Sequence, residues 1–276
     1  MEYHVLIPTD FSDSAWNATV YAMNLLAEEA CTFYFLNAMN AKISAMSNMS
    51  KKFNEAMSES AIKELRDLKA MAEAAHPKEK HRFEIIFSSE SLNDAIATSI
   101  KKYKLNLVVM GTKGATGAKE VFFGSNTVGL ISKLSLCPLI IVPEDCQFKI
   151  PKQIAFPTNF IRPYRAEDLQ SLFTMAQQFG TRIRVVHIQE KSRLSAEQRN
   201  HYTLLKELLE PYEHSFHWMP NYASKTHEIF DFIEELEIDM LVMINYKHSL
   251  LERFTREPVI KKIGYHPAVP FMVIPD

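Results

Sequence analysis

Short apolar runs alternate along the chain with longer segments of helical spacing. Tyr3–Pro8, Thr32–Ala38, Arg82–Phe87, Leu107–Met110 and Leu139–Val142 are rich in β-branched and aromatic residues and are bounded by turn residues. Continuous apolar runs of this length predict buried parallel strands. Between the first two, Ser12 to Ala30 places Ala15, Ala18, Tyr21, Ala22, Leu25 and Leu26 on one face. That is the pattern of an amphipathic helix, with Ser12 or Asp13 as its cap. Ser91 to Tyr103 repeats the arrangement with Ala95, Ile96, Ile100 and Tyr103; Ser91 is the expected cap and Asp94 lies in the first turn. Lys51 to Ala75 consists mainly of good helix formers. Strands alternating with helices imply right-handed crossovers and a parallel sheet covered on both faces.

The pattern then repeats itself. Val5-Leu-Ile-Pro-Thr-Asp-Phe11 returns as Ile154-Ala-Phe-Pro-Thr-Asn-Phe160, and Phe33 to Ala38 as Ile183 to Ile188. Leu107-Val-Val-Met110 returns as Met240-Leu-Val-Met243, and Cys137-Pro-Leu-Ile-Ile-Val-Pro143 as Val269-Pro-Phe-Met-Val-Ile-Pro275. Four matches in one order predict two tandem doubly wound, Rossmann-like α/β domains, each on a five-stranded parallel sheet. Their expected spans are 1–145 and 151–276, joined by the polar stretch Glu144 to Pro151. Two regions fit less well. Asn40 to Ser50 reads either as a loop over a site or as a frayed helix start, and Lys191 to Asn200 is its polar counterpart in the second half.

Composition narrows the function. With 276 residues, 47% hydrophobic and 23% charged, each half can bury a full core. A net charge of −2 gives no electrostatic reason to expect nucleic acid or an anionic membrane as partner. No stretch approaches the ~20 apolar residues of a membrane helix. The opening MEYHVLIPTDF lacks the basic region of a signal peptide. The three cysteines, Cys31, Cys137 and Cys146, form no CxxC or metal spacing, which suits a reducing cytoplasm.

Glycine singles out one segment. Only seven occur in the chain, and five of them (Gly111, Gly114, Gly117, Gly124 and Gly129) cluster directly after the Leu107–Met110 run. A predicted helix, Val128 to Leu134, follows. Ligands of doubly wound sheets bind at the carboxyl ends of the strands, and a helix start offers unpaired N–H groups suited to phosphate. The spacing is neither a Walker A loop nor a dinucleotide fingerprint. Asp10, at the end of the first strand, is well placed to accept from ribose hydroxyls; it also reads as a cap of the first helix.

The pattern G-x2-G-x9-G-S, formed by Gly111, Gly114, Gly124 and Ser125 late in a five-stranded α/β domain that opens on Pro8-Thr9-Asp10, resembles the universal stress protein family. The resemblance spans the chain as two family domains in tandem. It implies a regulatory or stress-response protein that binds ATP, with or without Mg2+, in its first half. By position, Pro8, Thr9 and Asp10 would meet the nucleoside, Ala38 would line the adenine pocket and Met110 would flank it. Gly111, Gly114, Gly124, Ser125, Asn126 and Thr127 would hold the phosphates. The family also pairs domains through their last strands, which implies an intrachain pseudo-dimer through Leu139–Val142 and Phe271–Ile274, with a further homodimer as an option. Phosphoryl transfer needs a positioned base, and none can be named, so binding is favoured over slow ATP hydrolysis. A third reading is an interaction scaffold.

The second half has lost the loop. From Ile244 to Val259 no glycine remains, Ile244 replaces Gly111, Thr255 falls near the place of Gly124, and Asn159 replaces Asp10. A structural half, or one with a different ligand, is expected. His214 and His217 fall on opposite faces of a predicted strand and do not form a metal pair. His187 reads as a core or pocket-lining residue.

Overall fold

Val5, Leu6 and Ile7 follow one another in the first strand, and each is 0% exposed. Successive strand side chains point to opposite faces, so both faces of this strand are covered. The computed structural model describes residues 2–39, 51–112, 129–131, 137–219, 225–246 and 269–275. Backbone contacts divide the chain into two units, Met1–Phe148 and Lys149–Asp276.

The first unit runs β1 (Glu2–Pro8), α1 (Asp13–Leu25), β2 (Ala30–Ala38), α2 (Lys51–Ala75), β3 (His81–Ser88), α3 (Leu92–Tyr103), β4 (Leu107–Gly111) and β5 (Leu139–Val142). Its strands lie in the order β3-β2-β1-β4-β5, and every pairing is parallel. The switch point, where the chain order reverses, is therefore between β1 and β4, and ligands of open α/β sheets bind in that crevice. The second unit runs β6 (Gln153–Pro157), α4 (Gln170–Phe179), β7 (Arg182–Ile188), α5 (Ala196–Leu209), β8 (His214–Met219), α6 (Lys225–Glu235), β9 (Met240–Asn245) and β10 (Phe271–Pro275). Its strand order, β8-β7-β6-β9-β10, is the same permutation, again all parallel. The α/β class, the five strands per unit and the parallel pairing follow the sequence expectation.

Local signals account for the ends of the helices. Ser12 caps α1 by accepting from the Ala15 amide, and Ser91 caps α3 by accepting from the Asp94 amide. Helix α1 stops at Leu25, earlier than its apolar face suggests, because Ala30 already belongs to β2. Asn17 fixes α1 to the exit of β5: its Nδ2 lies 3.0–3.1 Å from the carbonyls of Pro143, Glu144 and Cys146. Lys191–Asn200 is more ordered than its polarity suggests. A short 3-10 turn at Lys191–Arg193 leads into α5, whose start is held by a reciprocal capping box between Ser195 and Gln198. Asn40–Ser50 lies outside the described residues, and of the expected helix Val128–Leu134 only 129–131 are described, as helical.

A candidate nucleotide crevice in the first unit

Pro8 ends β1 beside Leu36 of β2, and the chain must then turn back into α1. Thr9 makes this turn. Its amide donates to the Leu36 carbonyl (2.8 Å), and its Oγ1 accepts from the Phe11 amide (3.0 Å). Asp10 Oδ1 accepts from the Ser12 amide (3.2 Å) and from the Ser12 hydroxyl. The sharp reversal puts Phe11 at φ 62°, the left-handed region that side chains other than glycine seldom occupy. Asp10 is left exposed at the rim, with its carboxylate at the positive end of α1.

Across the crevice, β4 ends at Gly111, and Thr112 follows it. Ser14 in the first turn of α1 donates from Oγ to the Thr112 carbonyl (2.7 Å). The approach is so close that a Cβ on Gly111 would lie 2.6 Å from Ser14 Oγ and 2.7 Å from its carbonyl carbon. Gly111 therefore has a packing reason to be glycine that needs no ligand. Thr112 is 2% exposed, and its Oγ1 has no hydrogen-bond partner among the described residues, an unusual state for a buried hydroxyl.

The structure thus brings Pro8, Thr9, Asp10, Gly111 and Thr112 to one crevice at the switch point. Ala38 ends β2 on the next strand, opposite Ser88 of β3, and is partly exposed. Met110 is 7% exposed, a core residue of β4. Gly114, Gly124, Ser125, Asn126 and Thr127 lie outside the described residues. Sequence reasoning missed Ser14, Asn37 and Thr112. Asn37 Nδ2 donates to the Thr9 carbonyl (2.9 Å) and so braces the turn from β2. A polar residue next to the last position of a buried strand was the available signal.

The second unit reproduces the turn and fills the crevice. The Thr158 amide donates to Val186 O, Thr158 Oγ1 accepts from the Phe160 amide (3.1 Å), and Asn159 Oδ1 accepts from the Ile161 amide (3.0 Å). Phe160 has φ 52°, matching Phe11. His187 occupies the register position of Asn37 and meets the Thr158 carbonyl from Nδ1 (2.7 Å); a carbonyl only accepts, so Nδ1 carries the proton. His187 is 3% exposed, a core histidine. Helix α4, however, begins only at Gln170, and the space near the sheet is taken by side chains. The Tyr246 hydroxyl donates to Asn159 Oδ1 (3.1 Å), and Tyr164 shares a hydrogen bond with Thr158 Oγ1 (2.8 Å). Burial pushes the Tyr164 phenol well above its ordinary value. Ile244 stands where Gly111 stands in the first unit and is 4% exposed. The segment beyond Tyr246 that replaces the glycine loop, 247–268, lies outside the described residues.

The family model described as "Universal stress protein family" matches residues 2–143. The chain belongs to the universal stress protein family. A universal stress protein of Methanocaldococcus jannaschii is 28% identical over 147 residues, covering 51% of this chain and 81% of the relative. Among solved structures, a universal stress protein from Archaeoglobus fulgidus superposes with a TM-score of 0.73 at 17% identity, covering 99% of this chain and 98% of its own. A putative universal stress protein from Pseudomonas aeruginosa does so at 0.59 and 12% identity, covering 99% and 92%. At these identities the superpositions speak for the fold. Membership makes this a stress-response protein. Among the described residues no helix is long and apolar enough to cross a membrane.

Proposed function

We propose that the first unit binds ATP and the second does not. The nucleoside end would rest on Pro8, Thr9, Asp10 and Ala38 beside Met110. The phosphates would be held by Gly111, Gly114, Gly124, Ser125, Asn126 and Thr127, with or without Mg2+. The observation that carries this reading is Asp10: an exposed carboxylate fixed by Ser12 at the rim of the switch-point crevice, placed to accept from ribose hydroxyls. The buried Thr112 hydroxyl, which has no hydrogen-bond partner among the described residues, supports a ligand with hydrogen-bonding groups. In the second unit the carboxylate is an amide, and Tyr246 already uses it. Phosphoryl transfer needs a positioned base, and none can be named from the sequence, so nucleotide binding is the reading we favour over slow hydrolysis. The three cysteines are buried and form no disulfide, which suits a reducing compartment, and we assign the protein to the cytoplasm.

The test is mass spectrometry of ligand released from the purified protein, with calorimetric ATP titration of the wild type and of Gly114→Glu, in Mg2+ and in chelator. The expected result is a single ATP per chain, lost in the variant. A wild type that neither carries nor binds an adenine nucleotide would overturn the reading and favour an interaction scaffold.

A further inference from the structure

The carboxyl ends of β7 and β8 in the second unit carry a cluster of rings with no use in the first-unit site. Trp218 of β8 sits beside His187 of β7 in register. Tyr202 of α5 faces it, with ring centroids 5.7 Å apart and planes inclined at 60°. Phe160, fully buried, backs both rings at 5.6 and 6.0 Å. Phe216 supports Tyr202 at 4.8 Å. The two front rings are thus held as the walls of a V, and both are partly exposed.

An ammonium already sits in its mouth. Lys191 Nζ lies 4.9 Å from the Tyr202 centroid and 5.8 Å from that of Trp218, within the range of cation–π attraction. Lys191 itself is exposed and makes no ion pair with any described carboxylate, and the neighbouring Glu190 pairs with Arg193. What holds the lysine head there is the two ring faces.

We infer that Tyr202 and Trp218 form a binding site for a small quaternary ammonium compound, for which Lys191 is the built-in, displaceable occupant. A lysine ammonium is strongly hydrated and gives up much of its ring attraction to water. A methylated ammonium is softer and larger, and tilted aromatic walls are the surface that selects it. The place suits a ligand, since it lies at the carboxyl ends of parallel strands. The inference does not depend on ATP binding by the first unit.

The chain has two tryptophans, Trp16 and Trp218, so Trp16→Phe leaves Trp218 as sole reporter. In that background, choline and tetramethylammonium are titrated while Trp218 emission is followed, with 3,3-dimethyl-1-butanol as the uncharged analogue of choline. The expected result is a saturable change with both cations, none with the alcohol, and about fivefold tighter binding after Lys191→Ala opens the V. Lys191 is exposed, so that variant keeps the fold; Tyr202→Leu, checked for folding by circular dichroism, should lose the response. Equal binding of the alcohol, or no saturable response to either cation in Lys191→Ala, would overturn the inference.

Discussion

The turns at Pro8–Ser12 and Pro157–Ile161 share a backbone and differ in what surrounds it. In both, a threonine hydroxyl accepts from the amide two residues on, an Asp or Asn oxygen does the same one residue later, and a phenylalanine takes a positive φ. The hydrogen-bonded frame therefore tolerates exchange of Asp10 for Asn159, because both side chains offer the same accepting oxygen. What differs is the helix that follows. Helix α1 begins at Asp13, close enough for Ser14 to reach Thr112 and to require glycine at 111. Helix α4 begins at Gln170, and the vacated space is occupied by Ile244, Tyr164 and Tyr246. One turn thus leaves an exposed carboxylate, Asp10, at the rim in the first unit and an amide engaged by Tyr246 in the second.

The sharpest way to break this comparison is at the paired phenylalanines. Phe160 is 0% exposed and packs on His187, Tyr202 and Trp218. Phe160→Ala should cost about 3–5 kcal/mol, read as a lowered urea midpoint of Trp218 emission. Next comes Gly111→Ala. The added methyl would press on the backbone of Ser14, which cannot move without shifting α1, and overpacking of this kind costs about 1–3 kcal/mol. Trp16, in α1, should report that loss. A neutral result would mean that α1 is free to slide and that the close approach is not what demands glycine.

The comparison can be sharpened at Asp10. Asp10→Asn keeps the accepting oxygen for Ser12, so stability should change little, while ATP affinity should fall about tenfold, the scale of a lost charge-assisted hydrogen bond. Calorimetry separates the two quantities. A variant that binds ATP as well as the wild type would show that Asp10 serves only the turn.

A smaller effect distinguishes the units in acid. His76 and His81 of the first unit stack with centroids 5.1 Å apart. Both imidazoles are held below their ordinary value, first by burial and then by nearby positive charge; for His81, backbone acceptors including the Leu26 carbonyl oppose the shift in part. In the second unit His217 is lowered, by burial and then by Arg184. A histidine whose folded value is depressed binds more protons when unfolded, so stability rises with pH up to the ordinary value near 6.5 and falls below it. The urea midpoint of Trp16 should therefore drop more between pH 7 and pH 5 than that of Trp218. His76→Gln with His81→Gln should flatten the first curve, and equal slopes before and after substitution would refute the assignment.

Much of this was legible in sequence, for identifiable reasons. The strands were, because Val5–Ile7 and Leu139–Val142 are buried on both faces and must be apolar throughout. The caps were, because Ser12 and Ser91 act on amides a few residues away. The first-unit crevice was legible in its strand ends, Pro8–Asp10 and Gly111. Its brace, Asn37, was not, because its partner, the Thr9 carbonyl, lies across a strand pair. The positive φ of two phenylalanines was also hidden, since local propensity argues against it. So was the delayed start of α4, which depends on Asp168. That residue is buried, its carboxyl is held below its ordinary value by the Arg165 guanidinium, and it fixes the preceding turn.

The smallest expected effect tests that hidden feature. Phe11 and Phe160 carry the same backbone strain, of about 1 kcal/mol, but only Phe160 is fully buried; Phe11 is partly exposed. Glycine relieves the strain in either turn. In the first unit, Phe11→Gly exchanges a partly exposed ring for that relief, and the two terms should nearly cancel, leaving a change within about 0.5 kcal/mol. In the second, Phe160→Gly gains the same relief and still loses the ring on which His187, Tyr202 and Trp218 pack, so it should remain strongly destabilising. Urea denaturation of the two variants, each read from the tryptophan of its own unit, isolates packing from backbone. If Phe11→Gly proves as damaging as Phe160→Gly, the first turn is packed as tightly as the second, and the contrast between the two turns fails.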